Sequence, residues 1–179
     1  MIQINQRDLL MVVDMQNVYL PGQPWGCERM KEAIAYIKRM LDQFPKDQIV
    51  FTRYLPSEHP KGVWREYNIV NEKINKNDWM NDYVQELKGY CSSSNLYSKS
   101  TYSCCKNKEL QKKMEQYDRV FLTGVVAECC VLSTVYELID LGKKIVYLKK
   151  GIAGQNREKE KAAVKVLEEL SPLHVIFGE

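Results

Sequence analysis

Histidine is scarce: His59 and His174 are the only two in 179 residues. That leaves little material for an imidazole metal centre or for catalysis by a Ser-His or Cys-His pair. No apolar run approaches the roughly 20 residues of a membrane span, so no membrane association is expected. The opening segment Met1-Ile2-Gln3-Ile4-Asn5 has no signal-peptide pattern, and a cytoplasmic location is expected. Six cysteines are present, but no C-x-x-C spacing, so neither a zinc ribbon nor a thioredoxin-type site is indicated. The adjacent pairs Cys104-Cys105 and Cys129-Cys130 are poor joint chelators or disulfide partners because neighbouring thiols meet in strained geometry. There is no long basic block, and the net charge is only +3, so nucleic acid is not an expected partner. Repeats, low-complexity tracts and linkers are also missing. With 45% hydrophobic and 27% charged residues, the expectation is one domain over residues 1–179 with a substantial core.

What is there alternates between two periods. Leu9–Val13 is a continuous apolar run, as in a strand buried on both faces, and it ends at Asp14. A helix follows from about Glu28, with Met30, Ile34, Ile37, Leu41 and Phe44 as its apolar stripe and Pro45 as its stop. Gln48–Thr52 is a second strand. Residues 53–94 form an irregular third of the chain, with short helices around Val63–Lys73 and Trp79–Leu87. Asn95–Ser98 reads as a strand running into Lys99. Lys106–Gln116 is a helix with Leu110, Met114 and Tyr117 inward. Val120–Thr123 is the next strand, and a helix begins at about Glu128 with Val131, Val135, Leu138 and Ile139 on one face, ending near Gly142. Lys144–Leu148 is a strand and Gly151–Gln155 a loop. Glu158–Leu170 is a helix with Ala162, Ala163, Val166 and Leu170 inward. Leu173–Phe177 closes the chain as a strand. Such alternation implies right-handed βαβ units and a three-layer α/β/α sandwich around a mainly parallel, Rossmann-like sheet.

In sheets of this kind, sites collect at the C-terminal ends of strands. Three reactive residues fall there: Asp14, Lys99 and Cys130. Each has an ordinary reading alone, as a turn cap, a solvated lysine and a small residue filling a strand–helix corner. Together they form a chemical set. Cys130 lies in the first turn of its helix, where free N–H groups and the helix dipole favour thiolate over thiol. Asp14 can take the thiol proton and return it to a leaving amine. Lys99 can stabilise both anions. The backbone N–H groups of Ala127 and Cys130 are candidate oxyanion donors. These parts suit attack on an amide, ureide or carbamoyl carbon and need no histidine.

Three motifs then resemble the isochorismatase-like cysteine hydrolase superfamily, which includes nicotinamidases, N-carbamoylsarcosine amidases and isochorismatases. They are the apolar strand ending in Asp14-Met15-Gln16-Asn17, the element Lys99-Ser100-Thr101-Tyr102-Ser103, and Gly124-Val125-Val126-Ala127-Glu128-Cys129-Cys130-Val131. The resemblance spans about residues 7–170. It implies an Asp14-Lys99-Cys130 triad, with Cys130 rather than Cys129 as nucleophile, and a cis peptide between Val126 and Ala127. It also implies a homo-oligomer, dimer or tetramer.

Departures from the family pattern shape the expected substrate. Nicotinamidases typically carry a D-x-H metal motif after the second strand; here Tyr54 and Pro56 stand in those places. No metal and no cofactor is expected. Retention of all three triad residues suits C–N hydrolysis through a thioester better than isochorismatase-type vinyl ether cleavage. Nicotinamidase activity is a further alternative, and a thiol redox sensor or small-molecule binder is the non-enzymatic one. Glu128 replaces the usual Asp, and Val18-Tyr19 stands where many relatives have Asp-Phe. Candidate contacts to a small-molecule substrate are Gln16, Tyr19, Arg53, Trp64 and Tyr102, with Trp25 and Tyr54 as further pocket aromatics.

Overall fold

The computed structural model describes residues 3–178, so Met1 and Ile2 of the opening segment lie outside the described residues. Six strands form one sheet with every pairing parallel, in the order β3-β2-β1-β4-β5-β6. They are β1 (Asp8–Val13), β2 (Ile49–Tyr54), β3 (Leu96–Lys99), β4 (Arg119–Val125), β5 (Lys144–Ala153) and β6 (Val175–Gly178). All six β1 residues are buried, as its uninterrupted apolar run requires of a central strand. Strand order reverses between β1 and β4, and in an open α/β sheet the crevice at such a reversal is where ligands bind.

The helices are α1 (Met30–Leu41), α2 (Trp64–Val70), α3 (Glu72–Asn75), α4 (Asp78–Asn81), α5 (Gln85–Lys88), α6 (Lys108–Met114), α7 (Leu132–Asp140) and α8 (Arg157–Glu168). Helix α1 buries Met30, Ile34, Ile37 and Leu41, with Phe44 just beyond its end, on the sheet face that carries Leu10, Val12 and Phe51. Helices α6, α7 and α8 cover the opposite face through Leu110, Met114, Val135, Leu138, Ala163 and Leu167. Asn107 and Asn156 cap α6 and α8 by accepting Leu110 N–H and Lys159 N–H, which satisfies donors the helices themselves cannot.

Four sequence expectations change. The inward face of α8 is Ala163 and Leu167, while Ala162 and Val166 are exposed; alanine is too small to mark a face by itself. Strand β5 continues through Ala153 where a loop was expected. Gly151 is a strand glycine there because α1 crosses it closely: a Cβ would meet Tyr36 Cδ1 at 2.8 Å. The helix expected from Glu128 begins as a π-helical turn, Ala127–Val131, before α7. The non-proline cis peptide lies between Val125 and Val126, one residue before the expected bond.

Candidate active site

Asp14 closes β1 in a left-handed conformation, φ 52°, which aspartate tolerates better than most side chains. Its backbone N–H donates to Thr52 O at 3.0 Å. Thr52 Oγ1 donates to Asp14 Oδ1 at 2.8 Å. That leaves Oδ2, which lies 2.7 Å from Lys99 Nζ, for the proton chemistry. Lys99 ends β3 and also donates to the carbonyls of Thr101 and Tyr102, each at 2.9 Å, and to Cys130 Sγ at 3.2 Å. The three sequence-expected residues are therefore brought together. They are deeply buried, with exposures of 0% for Asp14, 5% for Lys99 and 4% for Cys130.

Burial alters the expected electrostatics. It pushes the Cys130 thiol up, Asp14 pushes it further by charge and hydrogen bonding, and Lys99 pulls it back only in part. The direction of that shift is opposite to the one expected from a place at a helix start. Desolvation outweighs the short π-helical turn. For Lys99, burial opposes the charge, but Asp14 and Cys130 overcome it and hold the ammonium above its usual range. Lys99 Nζ thus bridges the Asp14 carboxylate and the Cys130 sulfur.

The turn that presents Cys130 depends on a close approach between β1 and β4. Gly124 pairs with Val13 at φ +109°, and a Cβ there would lie 2.1 Å from Val13 O. No other residue fits. Val126 O accepts the N–H groups of Cys129 and Val131, which tightens the turn around the nucleophile position. Glu128 Oε1 accepts Gln155 N–H at 3.1 Å, so the longer acid is accommodated by reaching the β5–α8 loop.

The candidate substrate contacts divide. Tyr19, Trp64 and Tyr102 belong to a connected set of rings over the triad. Tyr19 meets Trp25 at 5.8 Å, Trp25 meets Tyr54 at 5.9 Å, Tyr54 meets Trp64 at 6.4 Å and Trp64 meets Tyr102 at 5.2 Å. Lys99 Nζ lies 5.7 Å from the Tyr54 ring centroid. Burial pushes the Tyr19 phenol well up, and Cys130 and Asp14 add to the effect, which places it electrostatically beside the triad. Gln16 is not free to bind substrate: Nε2 donates to Tyr54 O and Asn81 O, and Oε1 accepts Tyr54 N–H. It ties β1 to β2 and α4. Arg53 is not brought to the triad. Its neighbour Thr52 faces Asp14, side chains alternate along a strand, and Arg53 Nε donates to Ser98 Oγ at 3.0 Å.

Sequence reasoning missed Thr52 and Tyr67. A polar residue at the C-terminal end of an apolar strand was the available signal for Thr52. Tyr67 joins the rings through Trp25 at 6.4 Å and Trp64 at 5.2 Å, but its segment carried no clear periodicity. Metal binding does not fit where relatives place it. Tyr54 donates its hydroxyl to Asn68 Oδ1 at 3.1 Å, Pro56 has no side-chain ligand atom, and among the described residues no three His, Cys, Asp or Glu side chains are grouped to hold a metal ion.

The isochorismatase domain model matches residues 8–175. The chain belongs to the isochorismatase domain family. That membership makes it a hydrolase. Solved structures with the same fold include a cysteine hydrolase from Pseudomonas syringae pv. phaseolicola, at TM-score 0.78 and 17% identity over 94% of this chain and 87% of that one. A pyrazinamidase of Pyrococcus horikoshii in complex with zinc matches at TM-score 0.73 and 21% identity, over 97% and 99%. An isochorismatase-like hydrolase from Alkaliphilus metalliredigens matches at TM-score 0.71 and 21% identity, over 96% and 94%. No curated protein matches the sequence.

Proposed function

We propose that this isochorismatase-family hydrolase cleaves the C–N bond of a small amide, ureide or carbamoyl compound with Cys130 as nucleophile. The observation that carries the reading is the buried junction at Lys99 Nζ, 2.7 Å from Asp14 Oδ2 and 3.2 Å from Cys130 Sγ. Asp14 Oδ2 takes the thiol proton as the sulfur attacks the carbonyl carbon. Lys99 stabilises the thiolate as it forms, which a resting thiol requires. The N–H groups of Ala127 and Cys130 receive the developing oxyanion. Asp14 then protonates the departing nitrogen, and the thioester is opened by water that Asp14 deprotonates. The cycle ends with the thiol and carboxylate restored.

Similar folds include enzymes called pyrazinamidase and nicotinamidase, which supports an amide-type bond. The Tyr54–Pro56 segment argues against the metal-dependent form of that chemistry, and no step here is routed through a metal. A redox-sensing role is disfavoured, since sensor thiols are accessible and of lowered pKa, whereas Cys130 is buried and raised.

The test is ammonia release from a panel of small amides and ureides. Cys130→Ala is expected to abolish turnover while Cys129→Ala retains most of it. Turnover surviving Cys130→Ala, or lost with Cys129→Ala in a folded protein, overturns the assignment.

A further inference from the structure

Beside the ring set over the triad lies a recess of about 400 Å³ between α2 and the Tyr102 loop. Its walls are Trp64, Tyr67 and Tyr102, with Val63 and Val70 at the side and Glu66 at the edge. Trp64 meets Tyr67 at 74° and Tyr102 at 68°, both with ring centroids 5.2 Å apart. Rings meeting so steeply touch edge to face instead of stacking flat on one another. None of the residues lining the recess is Lys, Arg or His.

Three nearby basic side chains, Lys99, Arg53 and Arg65, have partners outside the recess, Arg65 Nε donating to Pro60 O. Lys99 is held by Asp14, Cys130 and two carbonyls. Arg53 bonds Ser98 on the other face of β2. Lys61 and His59 line a separate cavity of about 210 Å³ that also touches Trp64. An anionic group in the aromatic recess would find a carboxylate and ring faces, all unfavourable to it. A cation would find both attractive, because ring faces carry the negative lobe of the quadrupole. Burial pushes the phenols of Tyr67 and Tyr102 upward, with Lys99 opposing it at Tyr102.

We propose that this recess is a subsite for an organic cation, an amine or quaternary ammonium group carried by the substrate away from its scissile C–N bond. The assignment rests on the hydrolytic reading only for the word substrate; the recess itself stands on its lining. It also makes a dianionic substrate a poor fit.

The experiment titrates Cys130→Ser protein, which cannot turn over, with three probes of similar shape: phenyltrimethylammonium, neutral tert-butylbenzene and benzenesulfonate. Binding is read by ligand-detected NMR and, where Trp64 is present, by tryptophan fluorescence. The cation is expected to bind at least about tenfold more tightly than either control, and Trp64→Ala to weaken it about tenfold or more, while Trp64→Phe stays within about threefold. Glu66→Gln is expected to weaken it by about two- to fivefold, an effect that salt removes. Equal or tighter binding of the sulfonate or the neutral probe overturns the proposal, as does cation binding that Trp64→Ala leaves intact. If Trp64→Ala fails to fold, Glu66→Gln and the probe comparison decide it. Failure of these titrations beside an active amidase removes the subsite alone; absence of ammonia release beside tight cation binding removes the hydrolytic reading alone.

Discussion

Asp14, Lys99 and Cys130 are buried at the C-terminal edge of the sheet, while Trp64 and Tyr67 reach the same place from α2, a helix with no buried residue. The floor of the site is a continuation of the core. Strand registers across β1, β2, β3 and β4 set the positions of its groups, and Tyr83 Oη braces the floor by donating to Val12 O and Thr52 O. The cover is held by ring contacts and a few hydrogen bonds, and its outer side exposes Val63, Ile69 and Val70. Chemistry that needs fixed distances is placed where the fold is hardest to deform. Recognition of the rest of the substrate is placed where side chains can adjust.

The largest way to test that contrast is Lys99→Met. Breaking a buried ion pair from one side leaves the Asp14 charge uncompensated, which costs about 3–5 kcal/mol. Chemical denaturation is expected to show that loss, and turnover is expected to fall by about 10³-fold or more because the forming thiolate loses its counter-charge. A stable, active Lys99→Met protein would mean that the floor is not electrostatically closed. Gly124→Ala comes next. Its Cβ would lie within 2.1 Å of a β1 carbonyl at a φ of +109°, so the strand pair must separate. A loss of about 3 kcal/mol or more, or failure to fold, is expected. A variant with unchanged melting would show that the β1–β4 approach is adjustable.

The third test uses pH. Cys130 starts from an ordinary thiol value of 9.0 and is raised, so its proton stays bound through neutral pH. Alkylation of Cys130 in the free protein is expected to rise about tenfold per pH unit from 6 to 8 with no plateau, since only thiolate reacts. A plateau in that window would restore the resting thiolate expected from the sequence. The same shift has a sign for stability. Above about pH 9 the unfolded chain releases this proton while the folded one keeps it, so the contribution of Cys130 makes stability fall as pH rises further.

The floor was largely legible in the sequence, and the cover only in part: its aromatics Tyr19, Trp25, Tyr54, Trp64 and Tyr102 were, but not Tyr67. Uninterrupted apolar runs announced β1 and β4, and the reactive residues read at or just beyond the strand ends, Asp14, Lys99 and Cys130, are the ones the structure gathers. Helix α1 was readable from one strong stripe. Lost information begins where a position obeys two constraints. Gly151 looks like a loop residue because glycine is silent about why its Cβ is missing; here the reason is the Tyr36 ring. Gln16 looks like a pocket amide, but both ends of its side chain are spent on backbone. Arg53 lies one residue from Thr52, and strand alternation turns it away from the triad; without a known register, that step cannot be counted. Cys130 was placed correctly at a helix start, but only the structure shows that burial governs its proton. Residues 64–70 include no fully buried position, so the short helix expected around Val63–Lys73 had no apolar period to fix its bounds or single out Tyr67.

A matched pair of small changes gives the finest measure of the same contrast. Thr52→Val removes the hydroxyl that donates to Asp14 Oδ1 at 2.8 Å in the floor. Asn68→Ala removes the acceptor of the Tyr54 hydroxyl at 3.1 Å beneath the cover. Each deletes one side-chain hydrogen bond, so hydrogen-bond count alone predicts equal effects. Burial and charge predict otherwise. A bond to a buried carboxylate is worth about 1.5–3 kcal/mol, whereas a neutral bond at a half-buried side chain is worth about 1 kcal/mol or less. Thr52→Val is expected to lower kcat about tenfold, because Asp14 loses its orientation, and to lower Tm by several degrees. Asn68→Ala is expected to change kcat less than about threefold, and any effect on turnover is expected in KM, because Tyr54 touches the rings over the site and not the proton transfer. Equal changes in kcat for the two variants would erase the division between a rigid chemical floor and an adjustable cover.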